Sequence, residues 1–188
     1  MANKEEINLV KRSKEGDNEA FEQLVQLHFK RIYHTAVHVM ADTSEAEDMT
    51  QETFIKAFKA IGKFDGRSSF FTWIYRILIN LCLNRKKEIK KWKGTNSKDP
   101  RLKAFLIEKG AKSEETPEDK LQKKRMVTSL VEAIDELSDV LRTTLILVVF
   151  ENMDYKMAGE ILGCSEGTVA WRVFRARELL RKKMLNYL

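Results

Sequence analysis

The chain contains 188 residues, of which 43% are hydrophobic and 33% charged, and 34 Lys and Arg against 28 Asp and Glu give a net charge of +6. This size allows one medium domain or two small ones, and the positive balance favours a polyanionic partner. Cys82 and Cys164 lack CxxC spacing, which argues against a disulfide framework or a structural zinc site. No apolar run approaches the ~20 residues of a membrane span, and the start is too polar for a signal peptide. These features predict a soluble cytoplasmic protein without membrane insertion.

Apolar residues recur at helical spacing along the chain, without sustained alternation of period two, and this predicts an all-α protein. The third helix of the first half has a predicted buried stripe that includes Phe58. The predicted N-caps of the second, third and fourth helices are Asp17, Ser44 with Glu47 as its capping-box partner, and Ser68 or Ser69.

Composition changes after Asn84, because residues 85–103 hold nine Lys or Arg against two acids, and the stretch from Gly94 to Pro100 within them breaks any regular pattern. We therefore expect two small helical domains, 1–93 and 117–188, joined by a flexible basic linker at 94–116. The helices predicted in the second domain span 117–136, 139–151, 155–162 and 166–186, with Thr116, Ser138, Asp154 and Ser165 as their N-caps.

The segment 154–169 has the pattern of a helix-turn-helix, in which a capped helix, a turn at Gly163 and a second capped helix follow one another. The small side chain of Ala158 allows the two helices to approach closely. A basic second helix is often only a solvated face, but the capped turn before it favours DNA binding. The side chains suited to phosphate oxygens and guanine edges are Trp171, Arg172, Arg175 and Arg177.

Seven aromatic residues fall within positions 54–75, and most lie on periodic stripes that predict a core position. Phe64 differs because it lies in a polar loop with residues 65–68, where a pocket for an unstacked base is expected. Asn80 and Asn84, one turn apart on the next helix, suit hydrogen bonds to bases or phosphates, although each equally fits a solvated surface.

Residues 41–52 contain five acids and no Lys or Arg, a pattern that favours contact with a basic protein surface. Acids in the first turn of a helix explain Glu45 and Glu47 well, and Glu52 less so.

Nothing in the sequence predicts a catalytic site, a metal or a cofactor. His34 and His38 have the spacing of a metal pair, but no third ligand is evident. The sequence also shows no phosphate-binding glycine loop, no HExxH motif and no evident nucleophile with its base.

The stretches 46–54, 64–76, 162–169 and 172–177 together resemble bacterial sigma factors of the extracytoplasmic-function (ECF) group, along nearly the whole chain. The resemblance implies a region two bundle and a region four helix-turn-helix domain. It implies a protein that binds RNA polymerase core and directs promoter-specific initiation, reading the −35 duplex and melting the −10 element. The implied partners are the clamp helices of the largest subunit, the flap of the second largest, promoter DNA and an anti-sigma factor. The implied location is the cytoplasm, with nucleoid association when active.

The resemblance also assigns roles to particular residues. Polymerase binding falls to Asp48, Gln51 and Glu52. Capture and melting of the −10 element fall to Phe64, Asp65, Gly66, Arg67, Ser68, Ser69, Trp73, Tyr75, Arg76, Asn80 and Asn84. Contact with the −35 element falls to Arg142, Ser165, Thr168, Trp171, Arg172, Phe174, Arg175 and Arg177.

The chain departs from the family pattern after Gly-Thr-Val, where a basic residue and a serine are usual and Ala170 and Trp171 stand instead. Trp171 fits either a thymine methyl or a neighbouring domain. The chief alternative is a dimeric helix-turn-helix transcriptional regulator that acts without being a polymerase subunit, which explains only the second domain. A nucleic-acid-processing enzyme would need clustered carboxylates or a metal set.

Overall fold

The computed structural model describes residues 4–93 and 117–185, and within these ranges every regular element is helical, which confirms the all-α prediction. The predicted linker and the Thr116 cap lie outside the described residues. A 3-10 turn, Ile61–Lys63, follows the third helix, and a π-helical segment, Ile146–Phe150, follows the sixth. The helices are α1 Lys4–Lys14, α2 Asn18–Met40, α3 Thr43–Ala60, α4 Phe70–Lys93, α5 Pro117–Asp135, α6 Asp139–Leu145, α7 Tyr155–Leu162 and α8 Glu166–Lys183.

Local capping explains where most of these helices begin, because a side-chain oxygen accepts one of the amide hydrogens that the first turn leaves unpaired. Asp154 accepts from the Met157 amide at 2.7 Å, the shortest of these bonds. The predicted caps confirmed by such bonds are Asp17, Ser69, Ser138, Asp154 and Ser165.

The predicted cap at Ser44 is wrong. The Asp42 carboxylate accepts from the Glu45 amide at 3.1 Å, so α3 begins at Thr43. The reason lies in the preceding helix, whose C-cap residue Ala41 has a left-handed backbone, φ 63°. Asp42 is the first extended residue after that turn, and an aspartate there caps the next helix at once.

Phe58 was also predicted wrongly, as a core residue. Its side chain is 49% exposed, and its ring contacts Phe21 edge-on with centroids 5.1 Å apart. The buried stripe of α3 is complete without it, since Thr53, Phe54 and Ala57 already fill the contact with the other helices.

The helix-turn-helix has the predicted close approach between α7 and α8. Ala158, Ile161 and Val169 are each at most 1% exposed. Gly163 ends α7 in the left-handed conformation, φ 64°, which a side chain would strain. The tightest point is Gly159, where an added Cβ would lie 2.7 Å from the backbone carbonyl oxygen of Cys164.

The two halves of the chain share one core. The largest cluster of buried apolar residues includes Ile74 and Leu78 of α4 together with Leu147, Ile161 and Val169 of the second half. The second half therefore packs directly against the first, mainly through α7 on α4, and its π-helical segment contacts α2.

Substituting Gly159→Ala should destabilise the protein by about 1–3 kcal/mol, because the new methyl group meets backbone that cannot rotate away. Gly167→Ala is the matched control, since its Cβ would meet only the Ser165 hydroxyl at 3.9 Å. That change should be neutral or stabilising by up to about 1 kcal/mol. Urea unfolding of both variants measures the difference, and equal midpoints would show that the turn tolerates a side chain.

Candidate protein and nucleic-acid interfaces

The acidic residues of α3 divide into two groups. Glu45 is held by Arg85, whose Nε and Nη2 donate to its carboxylate at 2.6 and 2.9 Å. Asp48 and Gln51 are exposed, and Glu52, beside them, forms a surface pair with Lys56 at 2.9 Å. The predicted polymerase-binding residues therefore remain available at the surface, whereas Glu45 joins α3 to α4.

An apolar patch that sequence reasoning missed borders these residues. Ile55, one turn after Gln51, is 52% exposed, and Phe58 follows three residues later. Phe29 of α2, 47% exposed, stacks against Phe54 with ring centroids 6.2 Å apart. Exposed aromatic and aliphatic side chains beside a few charges are typical of a protein-binding surface.

The loop before α4 is ordered by its own side chains. The Asp65 carboxylate accepts from the Arg67 amide at 3.1 Å, and that bond, with the Arg67 guanidinium, lowers the pKa of Asp65. Gly66 supplies the left-handed turn with φ 75°. Ser69 faces the other way and caps α4. The loop is thus shaped before any ligand arrives, and the Arg67 side chain is 90% exposed.

Phe64 does not project from this loop. It is 7% exposed and packs against Trp73 and Phe70, with centroid distances of 5.0 and 6.3 Å. Its ring forms part of the wall of two depressions of about 570 and 530 Å³, with Arg67 and Ser68 at the edge of both. Each has room for a nucleobase.

Four of the predicted DNA-binding residues of α4 share one face: Trp73, Arg76, Asn80 and Asn84 recur at helical spacing, and the last three are exposed. Tyr75 lies on the opposite, buried face at 0% exposure. Its hydroxyl lies 3.1 Å from Thr35 Oγ1, and burial raises its pKa. The structure therefore separates Tyr75 from the group to which the sequence assigned it.

On α8 the exposed centre is aromatic. Trp171 and Phe174 are 62% and 68% exposed and lie on the face opposite the buried stripe. Arg172 is half-buried beside the Cys164 sulfur at 3.5 Å, and Arg175 pairs with Glu178 at 2.6 Å. Of the other residues predicted here, Arg177 is exposed. The hydroxyls of Ser165 and Thr168 form a 2.8 Å hydrogen bond with each other within the N-cap of α8.

Arg142 is not at this surface. It is 5% exposed, and its Nη1 lies 2.6 Å from Asp135 Oδ1. In this conformation the guanidinium holds α6 to α5 inside the second domain and is not open to a phosphate.

A buried carboxylate joins the two domains. Glu151, with a 9% exposed side chain, lies 3.7 Å from Arg31 Nε, 3.6 Å from His38 Nδ1 and 3.5 Å from the Tyr75 hydroxyl. Burial alone would raise its pKa, but His38 and Thr35 and the charge of Arg31 bring it below its ordinary value. No short-range sequence signal marks this group, because Glu151 stands more than 75 positions from each of its partners.

Within residues 4–93 and 117–185, no group of three or more His, Cys, Asp or Glu side chains is placed to hold a metal ion. None of the described helices has the length and apolar character to cross a membrane.

Comparison with known proteins matches residues 12–93 to sigma-70 region 2 and residues 128–180 to sigma-70 region 4. The chain is 34% identical to the RNA polymerase sigma-H factor of Pseudomonas aeruginosa over 98% of this chain and 96% of that protein. It is 32% identical to the ECF RNA polymerase sigma factor SigW of Bacillus subtilis, over 93% of this chain and 94% of that protein.

Two solved structures have a similar fold. CnrH, in complex with the cytosolic domain of CnrY, gives a TM-score of 0.65 at 22% identity, over 95% of this chain and 96% of that one. The sigma factor RpoE of Bartonella quintana, in complex with the anti-sigma factor NepR, gives a TM-score of 0.60 at 21% identity, over 87% of this chain and 96% of that one. With both sigma-70 regions present in order, and identity above 30% along nearly its whole length, the chain belongs to the ECF sigma factors of the sigma-70 family.

Proposed function

We propose that this sigma factor binds the RNA polymerase core and directs initiation by holding the −35 duplex with α8 and the unpaired −10 strand with α4. The observation that carries the proposal is that one chain presents three surfaces of different chemistry. They are the acidic and apolar face of α3, the loop and polar stripe at α4, and the arginine-flanked aromatic face of α8. A dimeric helix-turn-helix regulator needs only the face of α8.

The proposed division is a region two domain at 1–93, a linker at 94–116 and a region four domain at 117–188. The matched segments 12–93 and 128–180 fall inside the two proposed domains. In the first, Asp48, Gln51 and Glu52 dock on the clamp helices of the largest subunit, with Ile55 supplying apolar contact beside them. The second domain contacts the flap of the second-largest subunit.

At the −10 element, one base leaves the stack and enters the depression beside Phe64, bounded by residues 65–69. Trp73, Arg76, Asn80 and Asn84 then bind the exposed strand along α4, by stacking and by hydrogen bonds. Tyr75 acts from the core by fixing the rotation of α4. Unstacking a base costs a few kcal/mol, which these contacts offset, so melting is driven by binding and needs no chemistry in the factor.

At the −35 element, α8 enters the major groove with Trp171 and Phe174 foremost. Two apolar rings at the centre of the reading face favour the C5-methyl groups of thymines over hydrogen-bonding base edges. Arg172, Arg175 and Arg177 hold phosphates around them, and the Ser165–Thr168 cap directs the N-terminus of α8 towards the backbone. Arg142 supports this face from within the domain.

We further propose that an anti-sigma factor regulates the protein, as the complex of the similar fold RpoE with the anti-sigma factor NepR suggests. The sigma factor itself acts in the cytoplasm, and it joins the nucleoid when bound to polymerase. It performs no catalysis of its own.

Transcription in vitro with bacterial core polymerase, on templates from the protein's own upstream region, tests the polymerase surface. Gln51→Ala with Glu52→Ala should lower factor-dependent transcription at least about tenfold, since these side chains lie at the centre of the proposed contact. Glu19→Ala with Gln23→Ala, the same residue types exposed on α2, should leave it unchanged. If no template is transcribed while the protein alone binds a specific duplex tightly, the dimeric regulator replaces this proposal.

Replacing thymine by uracil in the −35 element tests the aromatic face, because it removes only methyl groups. Each methyl contact should contribute about 0.8 kcal/mol, or about fourfold in affinity of the holoenzyme for the promoter. Trp171→Ala should remove that discrimination at one position. Arg177→Ala should weaken binding to both DNAs equally and reduce its salt dependence. Equal binding of thymine and uracil DNA by the unsubstituted protein would contradict methyl reading.

A further inference from the structure

The depression that we assign to the unstacked base has a second wall, which the 64–69 loop does not supply. Glu6, Ile7 and Val10 of α1 line the same space of about 570 Å³ as Phe64 and Arg67. Nothing in the sequence motifs pointed to α1, because it precedes the aromatic loop by more than fifty positions. The pocket is therefore built from two elements of the first domain, and α1 is one of them.

Helix α1 is held firmly enough to serve as a wall. Leu9 belongs to the core and is 4% exposed. The Ser13 hydroxyl donates to the Leu9 carbonyl oxygen at 2.7 Å. At the end of the helix, Arg12 Nη2 lies 2.7 Å from Oδ2 of Asp17, the N-cap of α2. These contacts fix the rotation of α1 against α2, so the side chains that face the depression are in place before a base arrives.

Glu6 is the charged side chain of this wall. It is 17% exposed, and its Oε1 lies 3.2 Å from Nε2 of His28. The His28 ring packs against Phe70 and Phe71, with centroid distances of 5.4 and 6.2 Å. Burial lowers the pKa of His28, so the imidazole is neutral at pH 7 and leaves the negative charge of the carboxylate uncompensated.

Two other charged residues border the depression, and both are more exposed than Glu6. The Arg67 side chain is 90% exposed, and Glu160 of α7 is exposed as well. A polar group that is largely removed from water discriminates more strongly between ligands than a solvated one, because a ligand that leaves it unpaired forfeits its hydration. Among the charged residues of the depression, Glu6 is therefore the one suited to recognise a base.

Bases differ in what they offer to a carboxylate. Cytosine, adenine and guanine each carry an exocyclic amino group that donates hydrogen bonds, and a glutamate accepts from such a group. Thymine carries none and presents the carbonyl oxygens O2 and O4, which a carboxylate repels. A carboxylate in the wall thus favours a base with an amino group over thymine.

We propose that Glu6 selects the base captured beside Phe64, by accepting a hydrogen bond from its exocyclic amino group. Ile7 and Val10 contact the base whatever its identity, and His28 is a positioning residue that holds Glu6. The inference rests on the proposed function, because it takes capture of a base at the 64–69 loop as given.

The test uses holoenzyme assembled from the full-length protein and bacterial core polymerase, with a labelled single-stranded oligonucleotide of the non-template −10 sequence. Abasic substitution at each position in turn finds the positions at which loss of the base weakens binding. The captured base is the one whose removal also cancels the effect of Ile7→Ala, because that side chain then has no base to contact. Circular dichroism checks that each variant keeps its helix content.

At that position the four bases are compared in the unsubstituted protein, in Glu6→Gln and in Glu5→Gln. Glu5 is the matched control, since it is an exposed carboxylate on the same helix and does not line the depression. We expect the unsubstituted protein to bind the preferred amino-bearing base at least about tenfold more tightly than thymine. Glu6→Gln should reduce this ratio to within about twofold, because an amide also donates to a thymine oxygen. Glu5→Gln should keep the ratio.

Equal binding of thymine at an abasic-sensitive position would overturn the selection and leave base capture standing. A ratio that survives Glu6→Gln would overturn the role of Glu6, and its loss in Glu160→Gln instead would place the acceptor on α7. Abasic-sensitive positions that all keep the effect of Ile7→Ala would show that α1 does not contact the base. Insensitivity to abasic substitution at every position would refute the proposed base capture itself, and the selection with it.

Discussion

The constraint on which the arrangement depends is the burial of the Glu151 carboxylate. An ionised carboxylate removed from water costs several kcal/mol unless opposite charge and hydrogen-bond donors surround it. Here the polar groups around it belong to the first domain. Arg31, Thr35 and His38 come from α2, and Tyr75 comes from α4. Apolar burial alone would tolerate many orientations of the second domain. The carboxylate narrows them, because few orientations place it among these groups.

Helix α4 carries this constraint to the DNA-binding surface. Its helical period places Ile74, Tyr75 and Leu78 in the core and Trp73, Arg76 and Asn80 outside. A change in how Tyr75 is held would rotate the outer stripe with it. The same helix is thus the centre of the core, the attachment point for the second domain and the proposed binding site for the melted strand.

The sequence was sufficient where the determining interaction is local. The caps at Asp17, Ser69 and Asp154 were predictable because donor and acceptor lie three residues apart. The family motifs likewise placed the α3, α4 and α8 residues on the elements that carry them. Choosing Asp42 over Ser44 required the left-handed end of α2, which no capping pattern shows.

The failures concern residues whose environment is made by distant parts of the chain. Phe58 fits the periodic stripe of α3 and yet is half exposed, because its environment depends on how α2 approaches. Tyr75 adjoins Arg76 in sequence and was grouped with it, although adjacent helical residues point about 100° apart. The domain contact was beyond prediction, since Arg76 and Glu160 are 84 positions apart.

Arg76 is satisfied by either a helix-end carbonyl or a phosphate, and the two acceptors differ in strength. The carbonyl offers a partial charge, whereas a phosphate offers a full one and forms the stronger charge-assisted bonds. In the structure Arg76 donates to the Glu160 carbonyl, so the proposed contact with a phosphate requires that this bond be exchanged.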